Sequence, residues 1–170
     1  TNMTVQLHAQ PYDLAAAGFY FVSFEDYAEK AAKLRNAYGD PVEEFEIQLI
    51  DGESIDCDLA KAIGIHQGNL KQFFEAVETW DEDDKTRVIL AVGECGYAFE
   101  ANTHPDDFDV EIYPYTSMRD LAEDFVEEGL FGDIPERLQF YIDYDAIARD
   151  LSVDYAEATV AGKPLIYRCA

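Results

Sequence analysis

Basic residues are scarce in this sequence. Its 170 residues include 12 Lys and Arg against 36 Asp and Glu, which gives a formal net charge of -24. Binding to a nucleic-acid backbone or to an anionic membrane surface requires clustered Lys and Arg side chains. The composition therefore predicts a protein that binds neither nucleic acid nor membranes.

Long apolar runs and regular sets of cysteines are missing as well. No stretch approaches the roughly 18 apolar residues of a membrane span, and no basic-then-apolar signal segment opens the sequence. Cys57, Cys95 and Cys169 are an odd and widely scattered set, unlike the dense, even set of a disulfide framework. Hydrophobic residues at 48% and aromatic residues at 14% argue against disorder. We therefore expect a folded, cytoplasmic protein.

The common catalytic and metal-binding motifs are absent too. The sequence has no P-loop, no Gly-x-Gly-x-x-Gly, no Gly-x-Ser-x-Gly and no His-Glu-x-x-His. His8, His66 and His104 each stand away from metal-ligand spacing to another His or Cys. The acidic segment near residue 81 places Lys85 where a calcium-binding loop needs an oxygen ligand. We expect no catalytic residues, no cofactor and no metal site, so that the protein is not an enzyme.

The negative charge is spread over the whole chain. Composition breaks near Gly52 and at His104-Pro105 divide it into residues 1–52, 53–104 and 105–170, with net charges of -6, -7 and -11. None of these parts is a low-complexity acidic block. Because duplex DNA carries one charge per roughly 1.7 Å of axis, 24 charges correspond to about 41 Å of duplex, or ~12 base pairs. The charge is thus a property of folded elements and not of a tail.

Residues 1–52 have the pattern of a small sheet that carries one helix. Alternating apolar residues predict strands over Thr4–Gln10 and Glu44–Ile50, and the aromatic run Gly18–Ser23 predicts a third strand. Ser23 is a candidate N-cap of a helix that ends at Gly39-Asp40-Pro41.

Residues 53–104 have the pattern of a small helical bundle. Helices are predicted over Asp58–Gly64 and Asn69–Trp80. Asp83 is the predicted cap of a third helix, which runs into the apolar stretch Val88–Val92. Periodicity alone leaves a buried strand as the alternative for that stretch.

Residues 105–170 combine strands and helices. A strand is predicted around Phe108–Tyr113, followed by a helix through Glu128 that Thr116 or Ser117 caps. Pro135 is expected to start a helix with Leu138, Tyr141 and Ile142 along it, a further helix covers Asp145–Leu151, and Val153–Val160 and Leu165–Cys169 form a hairpin. The predicted fold class is α+β, in an elongated chain of three small modules: a three-stranded sheet plus helix, a small helical bundle, and a sheet plus helices.

The segment from Leu130 to Leu151 carries the most specific pattern. Gly132 permits a tight turn, Asp133 can cap a helix and Pro135 can start one. An amphipathic helix pair with ordinary core aromatics explains the hydrophobic spacing of this segment. It does not explain why the outward face is so acidic.

This segment closely resembles the antirestriction motif of the ArdA family. The positions that match the motif and its continuation are Gly132, Asp133, Pro135, Tyr141, Asp143, Tyr144, Arg149 and Asp150. The run Gly18-Phe19-Tyr20-Phe21, which leads into an acidic helix, is also similar to that family. The resemblance implies a DNA mimic, that is, a curved homodimer joined through its C-terminal modules that occupies the DNA-binding groove of type I restriction-modification enzymes and inhibits them.

Two sets of residues follow from this expectation. The acids expected to imitate DNA phosphates are Glu25, Asp26, Glu29, Glu43, Glu44, Glu46, Asp109, Glu111, Glu123, Asp124 and Glu127. Phe140, Tyr141 and Tyr144 are candidates for packing across the two-fold axis of a dimer, with Asp143 and Arg149 pairing locally.

Two other functions share the same charge. A generic acidic binding module, such as a chaperone or an inhibitor of a basic protein, needs no DNA-like spacing of its acids. Adaptation to high salt would use acids to keep the protein soluble, although 11 Tyr, 11 Phe and 1 Trp make that reading less attractive.

Overall fold

The computed structural model describes residues 3–170 and confirms the α+β class. This part of the chain contains two three-stranded antiparallel sheets, six α-helices and two 3-10 helices. It divides into two compact units, one that ends at Phe108 and a second formed by Asp109–Ala170. The predicted break at His104-Pro105 lies near this boundary, where Pro105–Asp107 forms a 3-10 helix. The further division at residue 52 remains a prediction.

The first unit begins with a sheet of three strands. Strands β1 (Gln6–Pro11), β2 (Phe19–Phe21) and β3 (Phe45–Asp51) are arranged in the order β2-β1-β3. Alternation places Leu7 opposite both Phe21 and Leu49. Because successive side chains point to opposite faces, one face of this sheet is apolar and the other is polar.

Helix α1 (Phe24–Lys33) packs on the apolar face of the sheet. The Ser23 hydroxyl caps it by accepting the Asp26 N–H at 3.0 Å, as the sequence predicted. The predicted end at Gly39 was wrong, because the helix ends at Lys33. Arg35 instead forms an isolated β-bridge with Pro41, and this bridge holds the intervening residues in a turn.

Three helices complete the first unit. They are α2 (Ser54–Ile63), α3 (Leu70–Thr79) and α4 (Glu82–Gly93). The cap of α4 is Asp81, whose carboxylate accepts the Asp84 N–H at 2.8 Å, and not Asp83 as predicted. Either aspartate could cap the helix. With Asp81 as the cap, Glu82, Asp83 and Asp84 all lie in the first turn, where the helix dipole favours acidic side chains. The apolar stretch after Arg87 is helical, so the alternative of a strand was wrong.

A continuous core connects this sheet to these helices. Phe21 on β2 packs against Phe74 on α3 with ring centroids 6.2 Å apart. Leu59, Leu70 and Leu90 are fully buried among the helices. Each such side chain stabilises the fold by about 1.5–3 kcal/mol through removal of its apolar surface from water.

The second unit has its own sheet and core. Strands β4 (Val110–Tyr113), β5 (Ala156–Val160) and β6 (Lys163–Cys169) lie in the order β4-β6-β5. Ala161 and Gly162 join β5 to β6 with φ values of 52° and 78°, the positive pair that a two-residue hairpin turn requires.

Two α-helices accompany this sheet. Helix α5 (Met118–Glu127), capped by Ser117, buries Leu121 and Phe125 against Ile166, and helix α6 is Tyr144–Leu151.

The helix predicted after Pro135 differs from the observed one. Residues Glu136–Tyr141 form a 3-10 helix, in which the Leu138 N–H bonds to the Pro135 carbonyl at 2.8 Å. Leu138 and Tyr141, which were predicted to lie along that helix, are exposed in the 3-10 helix. The seven residues between Pro135 and the cap of α6, Asp143, leave little room for an α-helix with a buried stripe.

No described helix has both the length and the apolarity needed to cross a membrane.

One ion pair is buried in the helical part of the first unit. The Lys85 ammonium lies 2.7 Å from the Asp56 carboxylate, and the two side chains are 10% and 5% exposed. This pair joins α4 to α2 inside the core. Charges in such surroundings depend on each other, because either one alone would lack a compensating charge.

We predict that Asp56→Asn lowers the free energy of unfolding by about 3–5 kcal/mol, because Lys85 is left buried without its counter-ion. The double variant Asp56→Leu with Lys85→Met should recover most of that loss. Lys61→Met removes the same charge as Lys85→Met but at an exposed position of α2, and it should stay within about 0.5 kcal/mol of the unchanged protein. Denaturant unfolding measures all three, and a double variant no more stable than Asp56→Asn would show that the unpaired charge is not the cause.

Candidate functional site

The predicted acids of helix α1 differ in how far their charge is compensated. The Asp26 carboxylate accepts the Val22 N–H at 3.0 Å and pairs with Lys30 at 3.1 Å. Glu29 pairs with Lys33 at 2.8 Å, and the hydrogen bond from this lysine holds the pKa of Glu29 below its ordinary value. Glu25 is exposed. Asp26 and Glu29 are therefore partly neutralised by cations one helical turn away.

Three acids at the start of β3 project from a firmly held backbone. Gln67 clamps this segment, since its side chain donates to the Glu43 carbonyl at 3.0 Å and accepts the Phe45 N–H at 2.7 Å. The carbonyl of Glu44 accepts the Tyr12 N–H at 3.2 Å. With Phe45 buried, the side chains of Glu43, Glu44 and Glu46 are all exposed. The backbone that carries these carboxylates is thus held by hydrogen bonds along both of its edges.

The two predicted acids of β4 have different environments. Asp109 is exposed. Glu111 faces Arg168 on β6 at 3.6 Å, and its Oε2 atom is buried without a hydrogen bond in the described part of the chain. Burial, followed by the charge of Glu111, raises the pKa of Tyr113 to about 12. The Glu111 side chain remains 42% exposed, but the charge of its cross-strand neighbour Arg168 partly neutralises it. That it imitates a DNA phosphate remains a prediction.

Helix α5 carries the remaining three acids. Glu123 pairs with Arg119 at 3.2 Å. Asp124 is half-buried and accepts a hydrogen bond from the Tyr115 hydroxyl, which is the main reason that the pKa of Tyr115 is raised. Glu127 is exposed.

Six of the predicted acids are both exposed and, among residues 3–170, without a cation within ion-pair distance. We call these six the unpaired acids: Glu25, Glu43, Glu44, Glu46, Asp109 and Glu127.

The antirestriction motif begins in a glycine turn. The Gly132 N–H donates to the Gly129 carbonyl at 3.0 Å, and both glycines have φ near +80° to +90°, which other residues adopt only with strain. Asp133 follows in an exposed position and caps no helix, contrary to the expectation for it. Pro135 occupies the N-cap position of the 3-10 helix, as a residue with fixed φ and no N–H can do without loss.

The second half of the motif forms helix α6. Asp143 caps it by accepting the Ala146 N–H at 3.0 Å. Among the described residues Asp143 forms no ion pair with Arg149, so the predicted local pairing was wrong: the cap holds this carboxylate at the other end of the helix. Arg149 and Asp150 are exposed in the last turns.

The three dimerisation candidates separate into two groups. Phe140 and Tyr141 are 96% and 83% exposed. Tyr144 is half-buried, with the Arg119 guanidinium 5.7 Å from its ring centroid. Phe140 and Tyr141 thus offer apolar surface, whereas Tyr144 packs within its own unit.

The tertiary structure brings the motif and the acids of α5 to one cavity. It measures about 520 Å³ and is lined by Glu123, Val126, Glu127, Gly129, Gly132, Asp133, Ile134, Gln139, Ile142 and Tyr144. Two sets of residues that the sequence analysis treated separately are therefore neighbours in the second unit. Among residues 3–170, no group of three His, Cys, Asp or Glu side chains is arranged to hold a metal ion.

Arg119 links the two helices beside this cavity, and the sequence analysis did not single it out. It bonds to Asp145 at 2.7 Å and to Glu123 at 3.2 Å, and so ties α6 to α5. The hydrogen bond to Asp145, followed by the charges of Asp145 and Glu123, raises the pKa of Arg119. The spacing of Arg119 and Glu123, four residues apart on a helix, was the available signal.

We predict that Arg119→Gln lowers the free energy of unfolding slightly, because two partly exposed ion pairs and a cation–π contact are lost. The loss should shrink as salt is added, since salt screens exposed pairs. Arg137→Gln is the matched control: it removes the same charge from an exposed residue that forms no ion pair in the described part of the chain. Equal destabilisation by both variants in denaturant unfolding would mean that net charge, and not the α5–α6 link, is responsible.

The family description Antirestriction protein (ArdA) matches residues 22–162. The match covers most of the chain and contains all the predicted acids as well as the motif. No curated protein is similar enough to count as a match. Since the family match extends over far more than half of its length, the chain belongs to the ArdA family of antirestriction proteins, which act against restriction enzymes.

Proposed function

We propose that the chain inhibits type I restriction-modification enzymes as a DNA mimic that occupies their DNA-binding groove, without enzymatic activity of its own. The observation that carries this proposal is the set of unpaired acids. Their carboxylates are exposed, whereas Lys30, Lys33 and Lys85 each pair with a different acid. We place this activity in the cytoplasm and propose no nucleic-acid or membrane partner.

The physical reason is electrostatic complementarity. A groove that binds DNA presents Lys and Arg side chains toward phosphates, and carboxylates on a rigid surface can satisfy the same side chains. Rigidity lowers the entropy lost on binding. The clamp of Gln67 on the backbone at Glu43 and Phe45 supplies such rigidity where three of the unpaired acids lie.

The total charge of a dimer equals that of a DNA segment long enough for a bipartite recognition site. Two chains of -24 carry -48, which corresponds to about 82 Å or ~24 base pairs of duplex charge. This length could cover both halves of a bipartite recognition site. A homodimer is therefore part of the proposal.

The contribution of each acid should be small. An exposed ion pair contributes about 0.5 kcal/mol, so one substitution changes affinity about twofold, whereas six together remove about 3 kcal/mol, or roughly 100-fold. Function is then distributed over the surface and does not depend on one residue.

We predict that the unchanged protein displaces duplex DNA from a purified type I methyltransferase, and does so less well at about 200 mM salt than at about 50 mM. Converting all six unpaired acids to amides should raise the half-displacing concentration roughly 100-fold, and any single conversion about twofold. The matched control converts six exposed acids of the helical part, Glu75, Glu78, Glu82, Asp83, Glu94 and Glu100, and so changes the net charge equally. The half-displacing concentration of this control should rise far less than that of the variant without the six unpaired acids.

Other outcomes of this titration identify the alternatives. If the protein displaces no DNA at either salt concentration, the mimic proposal is wrong. Binding to the enzyme without displacement is the behaviour of a generic acidic binding module. Unfolding at low salt would indicate adaptation to high salt.

The dimer is tested through the exposed aromatic residues of the motif. Burying two aromatic side chains at an interface contributes several kcal/mol, so Phe140→Ser with Tyr141→Ser should raise the dimer dissociation constant at least about 100-fold in sedimentation equilibrium. Val153→Ser, at an 82% exposed apolar position outside the motif, is the control and should sediment unchanged. A double variant that remains fully dimeric would remove these residues from the interface. Tyr144→Ala is a poorer test because Tyr144 also packs under Arg119.

A further inference from the structure

Two loops of the first unit are joined into one rigid piece. One loop connects β1 to β2, and the other connects α1 to β3. The Ala37 N–H donates to the Ala15 carbonyl at 2.8 Å, and the Asn36 side chain donates to the Asp13 carboxylate at 2.9 Å. These bonds fix the two loops side by side.

Hydrogen bonds within each loop add to this rigidity. The side-chain amide oxygen of Asn36 (Oδ1) accepts the backbone N–H groups of Tyr38 and Asp40 at 2.9 and 3.0 Å. Asp13 accepts the Ala15 N–H at 2.9 Å. The hydrogen bond from Asn36, followed by that from Ala15, holds the pKa of Asp13 below its ordinary value. Both loops therefore have a defined conformation before any partner binds.

These rigid loops present large apolar side chains to solvent. Leu14 is 99% exposed, Tyr38 is 82% exposed and Tyr12 is 63% exposed. We call these three residues the apolar tip. Single exposed apolar residues are common, but the bond between Ala37 and Ala15 holds the backbones beside Tyr38 and Leu14 together. Exposed apolar residues grouped on one rigid piece are a feature of binding surfaces.

The surroundings of the apolar tip are acidic. Asp40, Glu43 and Glu44 are exposed and have no ion pair in the described part of the chain, and Glu43 and Glu44 line a cavity of about 280 Å³ together with Tyr12. The nearby Arg35 guanidinium is bonded to the carbonyls of Ala32 and Leu34. An apolar centre with a charged rim is the usual arrangement of a protein–protein interface.

The negative charge of the acids around the apolar tip indicates what kind of protein surface can cover it. Two copies of this chain placed tip to tip would oppose like charges, which disfavours self-association. A protein surface with an apolar depression between Lys and Arg side chains fits both the centre and the rim.

We propose that the apolar tip docks into such a depression on the restriction enzyme that the chain inhibits. This proposal rests on the proposed function, because it takes the same basic protein as the partner. It adds a contact that DNA phosphates do not make. Since burial of apolar surface does not release counterions, the tip contributes affinity that does not weaken with salt.

The test is the same displacement titration, with the triple variant Tyr12→Ser, Leu14→Ser and Tyr38→Ser. We expect the half-displacing concentration to rise at least about 30-fold at both salt concentrations, with an unchanged slope against log salt. Leu14→Ser alone, at a side chain with almost no contacts, should keep the fold and give about a 5-fold rise. Val153→Ser should change nothing, and circular dichroism checks the folding of each variant.

The outcomes separate this proposal from the one it rests on. If the unchanged protein displaces DNA and the folded triple and Leu14→Ser variants do so equally well, the tip proposal is overturned and the mimic proposal stands. Failure of the unchanged protein to displace DNA overturns both. Equal displacement together with altered sedimentation of the triple variant would assign the tip to contacts between copies of this chain, which also overturns the proposal.

Discussion

Repulsion among carboxylates constrains every part of this protein. With 36 acids and 12 bases, most acids can have no cationic partner, so apolar packing must outweigh both their repulsion and the entropy of folding. Fully buried side chains such as Phe21 and Phe73 in the first unit, and Leu121 and Ile166 in the second, provide that packing. The acids are left on exposed positions of helices and strands, where water and salt screen them best. The same arrangement that permits folding also creates the acidic surface.

Several of the few cations are held by local partners. Lys85 links α4 to α2 through a buried pair, and Arg119 links α5 to α6. Lys30 and Lys33 pair with acids on their own helix. Because these cations are committed to local partners, they do not neutralise acids elsewhere. The unpaired acids thus arise from where the bases are placed as much as from how many there are.

Local sequence signals predicted the regular elements well and their ends less well. The caps Ser23 and Ser117 and the alternation of β3 depend on neighbouring residues only, so they could be read directly. The end of α1 depends on the bridge between Arg35 and Pro41, which forms only when the chain returns to the sheet. The exposed 3-10 helix after Pro135 has apolar residues at helical spacing, so its pattern alone could not distinguish it from a packed α-helix.

The sequence by itself determined the sign and spread of the charge, the α+β class and the family, because composition, periodicity and motif are properties of the linear chain. Only the tertiary structure decided which acids are unpaired, which aromatic residues are exposed and which elements line the cavity beside the motif. Ion pairs such as Arg119–Asp145 and Lys85–Asp56 join residues 26 and 29 positions apart. Such contacts depend on how helices pack, and no local pattern of residues specifies them.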